Sequence, residues 1–122
     1  MKIIQLLLIV LVVFLHFYFL ILEMFLWTKP KGRKAFGLTE EFAEQTKVLA
    51  ANQGLYNGFL ALGLVWSLLH KKFSYEIAIF FLSCVIIAGI YGAYSTKKIK
   101  LFYIQALPAI LALITTLALS SN

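Results

Sequence analysis

Aspartate is absent from this chain, cysteine occurs once and histidine twice. Those shortages remove whole classes of chemistry. Without Asp there is no Ser–His–Asp set for nucleophilic catalysis. Neither a glycine-rich phosphate loop, an HExxH pair nor a CxxC pair occurs. His16 and His70 are expected near the membrane midplane and the outer surface, so they form no joint metal site and no metal is expected. A single Cys84 excludes an intramolecular disulfide, and a thiol within an apolar run is structural and inert. Charge is also scarce, at 13% of residues against 62% hydrophobic. Soluble domains run at about 25% charged and about 45–50% apolar. A soluble chain of 122 residues could not hide that much apolar surface, so most of its solvent must be lipid. Internal repeats, low-complexity tracts and a soluble domain are missing too.

What is present is four long apolar runs. Crossing a hydrocarbon core of about 30 Å takes about 20 helical residues. Spans are expected at about residues 3–27, 47–69, 75–94 and 101–119, with connecting loops at 28–46 and 95–100. The first run exceeds the apolar core of a signal peptide and has no small-x-small cleavage site, so it reads as a retained span. The fold class is therefore all-α, a four-transmembrane-helix bundle forming a single domain over residues 1–122.

In the first loop, TKPKGRKAFGL contains Pro30, Gly32 and Gly37 and reads as irregular. Thr39 before Glu40 and Glu41 is a helix start, a hydroxyl cap followed by acids in the first turn. The second helix is expected to run from near Glu40 to Leu69, with a break near Gln45 as the alternative. Pro108 predicts a kink in the fourth span.

Four spans put both termini on one side, with Lys2, Lys71 and Lys72. Lys29, Lys31, Arg33, Lys34, Lys47, Lys97, Lys98 and Lys100 fall on the other. That bias places loops 28–46 and 95–100 in the cytoplasm and the termini outside the cytoplasmic membrane. Basic clusters between apolar runs fit membrane lipids as partners rather than nucleic acid.

The stretch KVLAANQGLYNGFLALGLVWSLL is as apolar as a span, yet its first half carries Asn52, Gln53, Tyr56 and Asn57. Lipid penalises unpartnered amides, so these groups should face protein or a water-filled pocket. By depth, Glu23, Asn52, Gln53, Asn57, Tyr91 and Gln105 all fall in the cytoplasmic half. They are the expected ligand-binding residues, while catalytic residues are not identifiable. A carboxylate at such depth is costly unless solvated, paired or protonated; the alternative to a ligand role is that Glu23 pairs with a loop lysine. The amides could equally hold helices together, and the tyrosines could be interface anchors. Ala50, Gly54 and Gly58, like Gly89 with Ala93, are small-residue ladders that let helices approach closely, within one chain or between subunits.

The segments LEMFLW, GRKAFGL and AANQGLYNGFLA resemble a bacterial family of small integral membrane proteins known as domain of unknown function 1304. The similarity covers nearly the whole chain and implies a fold but no mechanism. In layout the chain is also similar to the membrane-associated eicosanoid and glutathione metabolism superfamily. Those four-helix, usually trimeric proteins have an active site near the cytoplasmic side of helix two, which carries an Arg, then an Asn and an acid. Lys47, Asn52 and Asn57 occupy a similar stretch here, without the Arg or the acid, so only Asn52 carries over. This likeness implies glutathione as a candidate cofactor and a homo-oligomer.

The leading expectation is an integral membrane protein that binds an amphipathic small molecule or lipid in a cytoplasm-facing intramembrane pocket. A glutathione- or thiol-transferase-like enzyme and a small proton-coupled transporter working through Glu23 are the alternatives. A scaffold without a pocket is a fourth reading.

Overall fold

A computed structural model describes residues 1–122. The chain is all-α, with no strand. Its elements are α1 (Lys2–Met24), α2 (Pro30–Phe36), α3 (Glu40–Leu69), α4 (Ser74–Thr96), a short α5 (Ile99–Leu101), a π-helical turn (Phe102–Ala106) and α6 (Leu107–Ser120). Four helices are long and apolar enough to cross a membrane: Lys2–Met24, Glu40–Leu69, Ser74–Thr96 and Ile99–Ser120. No glycine or proline interrupts α1, whose 23 residues extend about 35 Å at about 1.5 Å per residue. Large apolar side chains such as Phe14, Leu49, Trp66 and Ile87 lie exposed. In water that would be a liability; against acyl chains it costs nothing.

Two compact units divide the chain, Met1–Phe14 with Leu60–Asn122 in one and Leu15–Phe59 in the other. The first unit is built on an apolar core. Ile9 and Val12 from α1, Leu64 from α3, Ala78, Leu82 and Val85 from α4, and Ala109 and Ala112 from α6 meet there. Alanines dominate the α4–α6 contact because the backbones run close together. A Cβ on Gly89 would lie 2.8 Å from the Ala106 nitrogen and 2.9 Å from its Cβ. One polar tie crosses the unit: buried Gln5 donates from Nε2 to Thr116 Oγ1 at 3.2 Å, and Thr116 donates on to the Ala112 carbonyl.

The irregularity expected at Pro108 takes the form of a π turn. The Leu107 N–H reaches back five residues to the Phe102 carbonyl. Proline cannot donate, and its ring crowds the carbonyl four residues before it. Widening the preceding turn relieves that crowding without ending the helix.

The second unit holds the end of α1, all of α2 and the first two-thirds of α3. Here the expected irregular loop is corrected, because residues 30–36 are helical. Pro30 sits at the first position, where its fixed φ suits a helix and its missing N–H is no loss. Gly37 closes the helix at φ 66°, a left-handed conformation that glycine adopts freely. Gly32 is needed for a different reason, since a Cβ there would overlap the Leu26 carbonyl. The start of α3 is as expected: the Phe42 N–H donates to Thr39 Oγ1 at 3.2 Å. α3 then runs unbroken past Gln45.

Candidate functional site

Within the second unit, Ala50, Gly54, Asn57 and Gly58 form one buried stripe on α3, spaced three and four residues apart as one helical face requires. The glycines let the end of α1 come close. A Cβ on Gly54 would sit 2.7 Å from Met24 Cγ and 3.0 Å from Glu23 Cβ, and one on Gly58 would meet Leu20 Cδ1 at 2.6 Å. The small-residue ladder therefore serves contacts within the chain. Its consequence is chemical: at this separation Asn57 reaches the carboxyl of Glu23.

Asn57 donates from Nδ2 to Glu23 Oε1 at 2.5 Å. Both residues are buried, at 7% and 4% exposure. No lysine reaches Glu23, and the chain's one ion pair joins Lys47 to Glu44 at 3.0 Å. The alternative in which a loop lysine pairs with Glu23 is thereby corrected, since a neutral amide is its partner.

Beside this pair lies an open cavity of about 480 Å³. Glu23, Lys47 and Asn52 supply its polar wall, and Met24, Phe25, Trp27 and Val48 most of its apolar wall. Trp27 fixes the local geometry. Its ring packs on Phe36 of α2 at 4.9 Å, and its Nε1 donates to Thr46 Oγ1 at 3.0 Å. Thr46 in turn donates to the Phe42 carbonyl at 2.7 Å. Elsewhere in this unit, Lys31 stands 5.8 Å over the Tyr18 ring. Arg33 has a buried Nε with no hydrogen-bond partner.

The sequence-predicted residues fare differently. Glu23 and Asn57 are brought together, and Asn52 lines the same cavity as Glu23. Asn52 is exposed and donates to the Val48 carbonyl one turn back at 3.0 Å. Gln53, one residue on and four before Asn57, is exposed at the edge of the stripe. Tyr56 is also exposed, at 61%. Residues 52, 53, 56 and 57 fall within an arc of about 140° on a helix of 3.6 residues per turn, yet within the protomer Asn57 alone of the four is buried and Asn52 alone lines the cavity. Tyr91 and Gln105 belong to the other unit, where Tyr91 is 68% exposed and Gln105 is half-buried with an interaction of its own. His16 is fully buried and makes an edge contact with the Phe19 ring at 5.5 Å. No group of His, Cys, Asp or Glu residues could hold a metal ion.

Sequence reasoning passed over Thr46 and the role of Trp27. The available signal was an indole at the end of a span, facing a hydroxyl in the first turns of the next helix. It also passed over Gln5, although Gln5 is the one polar side chain between Lys2 and His16.

The family described as protein of unknown function (DUF1304) matches residues 10–117, a stretch that includes every residue of this cavity. The chain belongs to the DUF1304 family. An uncharacterized protein, YpaA, from Lactococcus lactis subsp. lactis (strain IL1403) is 33% identical over 118 residues, covering 95% of this chain and 98% of that one. No solved structure matches. For this DUF1304 protein the site must therefore be read from its own geometry.

Proposed function

We propose that this protein is a multi-pass protein of the cytoplasmic membrane that binds an amphipathic small molecule or lipid in the cavity beside Glu23. The observation carrying the reading is a buried carboxyl, held by one amide, in the wall of an open cavity that is half polar and half apolar. Membrane interiors retain such groups only with partners or for a task, and an amphiphile offers a head for the polar wall and a tail for Met24, Phe25 and Val48. The cationic residues of 28–46, Arg33 among them, draw anionic headgroups to the mouth. The distribution of Lys and Arg favours a cytoplasmic mouth and external termini. Gln53, exposed and with no hydrogen bond in the protomer, supports a homo-oligomer in which a second copy or interfacial water satisfies it.

Native mass spectrometry of protein released from mild detergent tests this. The expected result is an oligomer retaining an amphiphile, with retention lost in Glu23→Gln. A wild-type protein that retains nothing, and takes up no added amphiphile, overturns the reading. The same buried carboxyl favours a second reading, proton-coupled transport, which full-rate transport by Glu23→Gln would end.

A further inference from the structure

The Glu23 carboxyl has two oxygens, and the protein satisfies one. Oε1 accepts from Asn57, whereas Oε2 accepts from no group in the chain. Glu23 is 4% exposed, and the exposure it keeps belongs to the cavity it lines. Asn52 lines the same wall and spends an N–H on the Val48 carbonyl, leaving its side-chain oxygen as a second acceptor. The third polar group is a cation of the opposite kind, Lys47, already half committed to Glu44.

We infer that the cavity takes an amphiphile whose head carries a primary ammonium next to an anionic phosphate, the chemistry of a phosphoethanolamine head. This rests on the reading of the cavity as an amphiphile site and names what that site selects. The ammonium N–H groups donate to Glu23 Oε2 and the Asn52 oxygen, completing a carboxyl of which the chain itself satisfies one oxygen. The phosphate meets Lys47 at the rim, which gives an unlike charge to each charge of the ligand. A quaternary ammonium has no N–H to donate and leaves Oε2 unpaired. A head with only negative charge puts like charge beside Glu23. Sites built around a hydrogen bond discriminate strongly against ligands that cannot make it.

Native mass spectrometry in mild detergent decides this. The probes are phosphatidylethanolamine, phosphatidylcholine and phosphatidylglycerol with identical short acyl chains, and chain-free phosphoethanolamine as competitor. The ethanolamine lipid is expected to bind about tenfold or more tightly than the other two, the scale of one hydrogen bond to a charged group. In Glu23→Gln that advantage is expected to fall to about twofold or less, with an unchanged elution profile showing the variant folded. Equal binding of all three lipids to the wild type overturns the inference while the amphiphile reading stands, and this comparison holds even if the variant misfolds. An ethanolamine advantage that survives in folded Glu23→Gln overturns it as well. Binding of none overturns both. Competition by chain-free phosphoethanolamine at equal concentration supports the head chemistry and assigns a soluble source; lack of competition assigns a lipid.

Discussion

Replacing Asn57 by alanine strips the Glu23 carboxyl of its only partner in the chain without touching the carboxyl itself. A hydrogen bond to a charged group is worth about 1.5–3 kcal/mol, whereas hydrogen bonds inside membrane proteins average about 0.6 and reach about 1.7 kcal/mol. The lower figure applies where the unfolded chain or nearby water finds a substitute. Here Glu23 is 4% exposed and Lys47, the cation that lines the same cavity, is held by Glu44. The upper end therefore governs, and a loss of about 2 kcal/mol is expected, close to thirtyfold in the folding equilibrium. Reversible SDS-driven unfolding in mixed micelles, followed by far-UV circular dichroism, measures it. A double-mutant cycle with Glu23→Leu separates the bond from the lost amide volume. Because Glu23→Leu removes the group that Asn57 serves, the two changes should fall short of additivity by about 1–2 kcal/mol. An Asn57→Ala protein within about 0.5 kcal/mol of wild type, with additive effects in the cycle, would refute the claim that this bond is buried and scarce in substitutes.

Other sites give sharper geometric tests. Gly89→Leu forces bulk onto the Ala106 backbone and is expected to cost about 1–3 kcal/mol or more in the same unfolding assay, whereas Gly92→Leu, where a Cβ meets only the end of the Leu101 side chain at 4.0 Å, should cost far less. Gly37→Ala places a side chain at φ 66° and should destabilise the protein by about 1 kcal/mol. Lys97→Gly relieves the left-handed conformation at φ 58° and should raise the thermal midpoint, with a gain of up to about 1 kcal/mol. Thr39→Ala removes the cap on the Phe42 amide and should cost about 1 kcal/mol, with faster amide exchange confined to the first turn of α3.

The helices were legible because each carries its own instructions. α1 and α4 have no internal proline, α3 starts on a hydroxyl and two acids, and the apolar runs match the thickness they must cross. α2 was written just as plainly, with Pro30 at its first position and Gly37 just past its end. In the sequence it reads as loop, because the same two residues also signal turns when no apolar periodicity joins them. At seven residues, α2 is too short to show that periodicity, and it is held by tertiary contacts, Trp27 on Phe36 and Gly32 under the Leu26 carbonyl.

The candidate site was legible in part, and the dividing line is physical. Counting residues along a helix gives depth well and facing poorly. Depth alone grouped Glu23, Asn52, Gln53, Asn57, Tyr91 and Gln105. Facing separates Asn57 from Gln53, four residues apart yet on opposite sides of the burial boundary. Position 57 shares its stripe with Gly54 and Gly58, and those glycines decide the matter. They bring α1 near enough for an amide to reach a carboxyl, so Asn57 is spent inside the protein while Asn52, one turn nearer the helix start, is left at the cavity wall. A polar residue inside a small-residue ladder is thus a structural partner, and one just outside it is where a ligand would meet the helix. By that rule, Asn52→Leu should weaken amphiphile binding with little loss of stability, since its one bond is to its own helix at Val48. Asn57→Ala should reverse that order. Native mass spectrometry paired with unfolding in SDS would show both, and a stability loss at Asn52 equal to that at Asn57 would sink the distinction.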